Sequence, residues 1–346
     1  MMTTLMSKPG RGRRIALVCL VTFLVLFLAD IIVANVLVSF ALKRPRKVHS
    51  DVMPEPVTEN RVRDTVSENR KRLDREASEW VAKTEHSEVS VESEDGLTLY
   101  GDMFITDESS ELWVIALHGY GYTGTRSAMY PYMLPYARRG YNILTPDLRA
   151  HGKSEGAYIG MGWLDRRDIL KWIDLITGRD PGARIVLHGV SMGGAAAMMT
   201  AGEKLPESVA AVVEECGYSS VWQIFRDEAW YLYHVPPFPL LYTASFFSQL
   251  RAGYSFKEAS ALSQIQKTRV PVLFIHGTKD NFVHTEVVYE LYEACPSEKE
   301  LYIAEGAGHG DAYYLDPDKY TEAVFGFLAA HMERGDGFLV PVFNCR

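Results

Sequence analysis

Ser191, Asp280 and His309 are of the types, and in the chain order, that nucleophilic acyl chemistry uses. A serine hydroxyl is a weak nucleophile until an imidazole takes its proton, and the imidazole needs a carboxylate to hold its tautomer. Ser191 stands in Gly189-Val-Ser-Met-Gly193, a G-x-S-x-G pattern. The run Ile185-Val-Leu187 before it reads as a buried strand, and Gly194 to Ala201 after it is rich in helix formers. Strand, tight turn and helix force such a serine out of the chain. Its hydroxyl then sits at a helix N-terminus, where unpaired N–H groups and a partial positive charge favour an oxyanion. A glycine-rich turn with an incidental serine is the plain alternative, and the flanking strand and helix weigh against it. His309 lies in Gly306-Ala-Gly-His-Gly-Asp311, hemmed by glycines, unlike a packed core histidine. Asp280, in Gly277-Thr-Lys-Asp-Asn281, follows an apolar run ending at His276. Taken alone it would be a turn residue.

An acyl-transfer site also needs donors for the developing negative charge. His118-Gly-Tyr-Gly121 closes the apolar run Leu112–Leu117, and its glycines free the backbone. The amides of Tyr120 and Met192 are the candidate pair, worth a few kcal/mol of barrier. Two competitors stand nearby in sequence. Glu214 and Glu215 end the next strand and offer further carboxylates. His151, in Pro146-Asp-Leu-Arg-Ala-His-Gly-Lys-Ser154, is a second imidazole.

The elements that must hold these residues are legible in outline. Val89–Glu92 and Leu97–Phe104 flank Asp95-Gly96, a hairpin signal. Strand-like runs then alternate with helical stretches to residue 332, implying a mostly parallel sheet with helices on both faces. Ligands bind beyond the carboxyl ends of such strands, where the candidates fall. Residues 218–263 interrupt the alternation with a dense set of aromatics and are expected to cap the site. Tyr120, Trp222, Phe225 and Trp230 are the expected substrate-binding residues, lining an apolar acyl pocket. No acidic cluster there is clearly placed for a substrate ammonium, although Asp227 and Glu228 leave that open.

The chain has 346 residues and a net charge of −8, which argues against nucleic-acid binding. Its four cysteines have no metal-ligand spacing, and neither an H-E-x-x-H, a phosphate-binding loop nor a dinucleotide fingerprint occurs. No metal and no cofactor are therefore expected. Residues 1–14 are basic, and residues 15–42 are apolar apart from Asp30 and Asn35, longer than the roughly 20 needed to cross a bilayer. The length, and the lack of a clean small-residue cleavage site, favour an uncleaved signal anchor over a signal peptide. Basic residues flank both ends, so charge does not fix the orientation. The commoner arrangement puts the body outside, as a single-pass membrane protein. Residues 43–86 form a charged linker in which Val62, Val66, Leu73, Ala77, Trp80 and Val81 repeat at helical spacing, a stalk helix laid on the catalytic domain. The globular domain is residues 87–346.

The sequence resembles the α/β-hydrolases, nearest to the serine-aminopeptidase-like and monoacylglycerol-lipase-like branch with membrane-anchored bacterial members. The resemblance rests on Ser93–Gly101, Leu117–Tyr120, Pro146–Ser154, Gly189–Gly193, His276–Asp280 and Gly308-His309, and covers about residues 87–333. It implies an α/β-hydrolase fold with a mostly parallel eight-stranded sheet and a helical cap insert. It also implies Ser191 as nucleophile, His309 as base, Asp280 as its orienter, and the Tyr120 and Met192 amides as oxyanion hole. The expected activity is hydrolysis of a small-molecule carboxylic ester or lipid through an acyl-enzyme. A peptidase or amidase, or an acyltransferase, would use the same triad; a non-catalytic tethered binding protein is the most distant alternative. The sequence does not speak to oligomeric state.

Overall fold

The computed structural model describes residues 11–44, 59–121 and 123–332. The start of the basic N-terminal stretch, the proline-bearing part of the linker and Cys345 lie outside the described residues. The hairpin forms as its turn signal predicts: β1 (His86–Glu92) pairs antiparallel with β2 (Thr98–Phe104). Gly96, at φ 80°, takes the turn position that a side chain would disfavour.

The remaining strands are β3 (Leu112–Leu117), β4 (Asn142–Pro146), β5 (Arg184–Val190), β6 (Val209–Glu215), β7 (Val272–Gly277) and β8 (Lys299–Ala304). They complete an eight-stranded sheet in the order β1-β2-β4-β3-β5-β6-β7-β8, parallel from β4 onward. β7 starts later than the apolar run beginning at Val270, because Pro271 has no N–H to donate.

Strand periodicity divides the core in two. On β3, Trp113, Ile115 and Leu117 face one side. There they join α4 (Asp165–Arg179), α5 (Met192–Ala201), α8 (Ala261–Ile265) and α9 (Glu286–Ala294). Leu112, Val114 and Ala116 face the other, against α3 (Tyr130–Ala137), α10 (Ala312–Leu315) and α11 (Pro317–Met332). Alternating residues of an extended chain point oppositely, so a continuous apolar strand serves both layers.

Between β6 and β7 the chain leaves the sheet for α6 (Val221–Tyr233) and α7 (Leu240–Ala252), which form the cap, before α8 returns to the body beside α5. The Ser220 hydroxyl caps α6 by accepting the Gln223 N–H.

Two helices precede the sheet. α1 (Arg11–Leu42) is long and apolar enough to cross a membrane. Its last turns are built into the body: Ala34, Val38 and Leu42, four residues apart, are buried as α1 runs along α7. Arg44 then donates to the carbonyls of Gly152 and Ser154. α2 (Asn60–Lys83) buries Val66, Leu73 and Ala77 against α3 and α10.

Candidate active site

Ser191 sits between β5 and α5 at φ 58°, ψ −118°, a backbone conformation that side-chain-bearing residues rarely adopt. Its neighbours permit the bend. A Cβ on Gly189 would collide with the Gly193 carbonyl, and one on Gly193 with the Leu117 carbonyl. The Ser191 N–H donates to the Glu215 carbonyl at 2.8 Å, which fixes the turn against β6.

The other two residues arrive from the ends of β7 and β8. Ser191 Oγ lies 2.8 Å from His309 Nε2, and His309 Nδ1 lies 2.7 Å from Asp280 Oδ2. With Nδ1–H donating to the carboxylate, Nε2 is free to accept the serine proton. Asp280 Oδ1 accepts the amides of Phe282 and Val283 at 3.0 and 2.9 Å. Burial alone would raise the Asp280 carboxyl; His309 and His276 together reverse this and hold it well below the usual carboxylate range. The Phe282 ring closes over the imidazole, with its centroid 5.0 Å from that of His309.

The expected donors lie beside the serine. Met192 is the first residue of α5, and Gly119 approaches so closely that a Cβ there would meet Ser191 Cβ at 3.5 Å. The loop carrying Tyr120 is held by His118. Its Nδ1–H donates to the Gly119 carbonyl at 2.7 Å, and its Nε2 accepts the Leu148 N–H at 2.9 Å. Burial pushes the His118 pKa down to about 4, so the ring stays neutral and can perform both tasks.

The rival acids are occupied elsewhere. Glu214 Oε2 accepts the Gly217 N–H, and Glu215 accepts the Ala312 N–H and the Tyr320 hydroxyl. His151 is buried edge-on against His118, with Nδ1 on the Arg149 carbonyl. Among the expected pocket residues, Trp222 packs on Tyr242 and Phe225 on Phe256, both within the cap. Trp230 is exposed and stacks edge-on with His234. Tyr120 donates its hydroxyl to the Ala41 carbonyl of α1 at 2.8 Å.

Several neighbours went unnoticed in the sequence. His276 Nε2 donates to the Val283 carbonyl at 2.8 Å and lies 3.2 Å from Asp280, giving that carboxylate a second imidazole. Its place at the strand end, four residues before Asp280, was the available signal. Cys216 Sγ lies 3.9 Å from His309 Nε2. With Asp280 and His309 it forms the one cluster among the described residues that could hold a metal. The His309–Asp280 hydrogen bond and the buried, protonated Cys216 thiol leave that cluster poorly suited to an ion. Arg70 of α2 reaches Asp311, two residues past His309.

The arrangement can carry a proton from the Ser191 hydroxyl to the His309 imidazole, with the N-terminus of α5 beside the serine. Known proteins agree with that chemistry at the level of the fold. A model of the alpha/beta hydrolase family matches residues 114–323. An uncharacterised Bacillus subtilis protein, YqkD, is 31% identical over 216 residues, covering 62% of this chain and 70% of its own. Uncharacterised Escherichia coli YfhR is 26% identical over 257 residues, covering 72% and 81%. Among solved structures, the Pyrococcus furiosus esterase Pf2001 aligns at 26% identity and a TM-score of 0.61, over 84% of this chain and 99% of its own. The Pyrococcus horikoshii acylaminoacyl peptidase shares the fold at 20% identity and a TM-score of 0.55, over 75% and 44%. The chain belongs to the α/β-hydrolase family.

Proposed function

We propose that this hydrolase cleaves carboxylic esters through an acyl-enzyme on Ser191. The observation that carries the reading is the unbroken relay from Ser191 Oγ through His309 to Asp280, at 2.8 and 2.7 Å, beneath a strained turn. In the first step His309 Nε2 takes the hydroxyl proton as Oγ bonds to the ester carbonyl carbon. The carbonyl oxygen, now negative, rests on the Tyr120 and Met192 amides. His309 returns the proton to the leaving alcohol as the carbon–oxygen bond breaks. Water, deprotonated by the same nitrogen, then releases the acid and restores the serine.

Esterase Pf2001 supports an ester over an amide as substrate, and the Phe282 ring over His309 supports an apolar acyl group. One observation favours a peptidase or amidase. Glu228 of α6 is half-buried, and burial raises its carboxyl to about 7, opposed by the nearby charge of His309. A carboxylate in that position would suit a substrate amine.

In this reading α1 is an uncleaved anchor and the catalytic domain is extracytoplasmic. Burial of Ala34, Val38 and Leu42 supports retention, since cleavage would strip a packed surface from the cap. The intact mass of the membrane-extracted protein tests it.

The activity is tested with p-nitrophenyl esters from acetyl to palmitoyl beside aminoacyl anilides, with Ser191→Ala as control. Ester turnover lost in the variant is the expected result. Preference for anilides would make the protein a peptidase. No turnover, with Ser191 unlabelled by a fluorophosphonate, would overturn the catalytic assignment.

A further inference from the structure

From Ala229 to Leu250 the chain carries no Asp, Glu, Lys or Arg over 22 residues. Such a run normally lies inside a protein. Here Trp230, Tyr233, Phe238, Phe246 and Leu250 are 58–73% exposed. Contiguous apolar surface of this kind marks a site that meets another phase or partner.

The position of α1 identifies the partner. Tyr242, Phe246 and Leu250 recur every four residues on α7 and form one stripe. The adjacent stripe faces α1. Thr243 Oγ1 donates to Asp30 Oδ2 at 2.5 Å, and Arg251 donates to the Asn35 carbonyl and the Ser39 hydroxyl at 3.0 and 2.7 Å. This stripe flanks the seam between the two helices, with the Lys257 ammonium 4.8 Å over the Tyr242 ring, within reach of lipid headgroups.

Depth follows from counting. About 20 helical residues cross the hydrocarbon core; counted from Ile15, directly after Arg13-Arg14, they end near Ala34. Asp30 then lies about 6 Å inside that boundary, at 1.5 Å per residue, and Thr243 lies beside it. A carboxyl at that depth needs an internal partner, which the Thr243 hydroxyl supplies. α7 thus cannot stand clear of the membrane. Tryptophan and tyrosine on its approach, with no charge, match the headgroup–acyl boundary.

We infer that the outer face of the cap, from Trp230 to Leu250, is embedded in the lipid–water interface beside α1, so that the catalytic site opens at the bilayer. The inference rests on reading α1 as a membrane span. The site is close: Tyr120, on the loop beside Ser191, is hydrogen-bonded to Ala41 of α1. By the same count Ala41 lies about 10 Å beyond the hydrocarbon edge, so an acyl lipid need rise only about that far to reach Ser191.

The test uses the full chain in phosphatidylethanolamine–phosphatidylglycerol vesicles, with Cys19→Ser and Cys345→Ser as background. A nitroxide is placed at Phe246→Cys or, separately, Leu250→Cys, and its collisions with oxygen and with a water-soluble nickel chelate are measured. Leu24→Cys reports the anchor. Ala330→Cys reports the far side of the body, where His331 pairs with Glu298 at the start of β8. The expected result is oxygen-dominated relaxation at 24, 246 and 250 and nickel-dominated relaxation at 330. Nickel access at 246 and 250 with position 24 in lipid overturns this inference alone. Nickel access at 24 as well overturns the anchor reading. Labels at 246 and 250 immobilised and shielded from both reagents would mean a protein partner or second copy, and would also overturn it.

Discussion

The Arg70 guanidinium of α2 lies 2.8 Å from the Asp311 carboxylate and 3.8 Å over the Tyr314 ring, so the loop carrying His309 is held from outside the hydrolase body. Asn69 adds a hydrogen bond to the Tyr314 carbonyl at 2.9 Å. Arg70 is a positioning residue: it touches the segment after His309 and not the reacting atoms. Arg70→Met should lower kcat by roughly fivefold, about 1 kcal/mol of barrier, with KM little changed. Because the pair is partly exposed, stability should change by less than about 1 kcal/mol. Arg70→Lys should recover part of the rate. Equal effects on kcat and melting, without recovery by lysine, would reduce Arg70 to packing.

Asp280 serves two imidazoles and two amides, so its charge cannot be replaced by shape. Asp280→Asn should lower kcat on the order of 10⁴-fold while leaving the fold intact, because the amide no longer holds the His309 tautomer. Steady-state kinetics and circular dichroism check both halves. A loss below tenfold would return Glu215 to candidacy.

Two glycines beside the serine should behave oppositely. Gly119→Ala adds a methyl at ordinary contact distance from Ser191, in the space of the acyl group. It should fold normally and lose about a hundredfold in kcat/KM, the scale of a spoiled oxyanion site. Gly193→Ala drives its methyl into the Leu117 carbonyl and should fail in expression or thermal melting.

Stability should fall as pH rises from about 6.5 toward 8. Burial lowers His118 to about 4 and His151 and His188 to about 3. Their neutral forms stabilise the fold fully above the unfolded value of about 6.5, and that contribution is lost as pH falls through the folded values. Burial raises Glu214 to about 8 and Glu215 to about 7. Their protonated forms stabilise fully below about 4.3, and that contribution is lost as pH rises through 7 and 8. Burial raises Asp168 and Glu228 to about 7 as well, so above pH 6.5 all four carboxyls act in one direction. Denaturant midpoints should therefore fall toward pH 8, and Glu214→Gln should reduce the fall. An undiminished fall in the variant would show that Glu214 is not its source.

The serine turn was readable because its signal is local: two glycines, a strand and a helix within a dozen residues or so. Asp280 and His309 were readable because the fold brings strand ends together in chain order. The choice between Asp280 and Glu215 needed coordinates, since both close a strand and only one faces His309. The cap resisted reading for another reason. Trp222 and Phe225 have the composition of a pocket, yet they pack against Tyr242 and Phe256 inside the cap. Periodicity showed that the stalk helix has an apolar face but not what it covers. Arg70 and Asp311 are 241 residues apart, and Asp30 and Thr243 are 213 apart. Neither pairing leaves a trace in local pattern.

The docking of α1 on α7 changes what kind of object the N-terminal helix is. A leash can be cut and its cargo released; a structural strut cannot. Cleavage after Leu42 would bare the α7 surface that buries Ala34, Val38 and Leu42 and would free the Tyr120 hydroxyl. Under the proposed anchoring, shedding by a protease would not yield an intact soluble form, since the truncated version would carry a damaged cap. With α1 as the proposed anchor, the range of the catalytic site is that of diffusion in a plane.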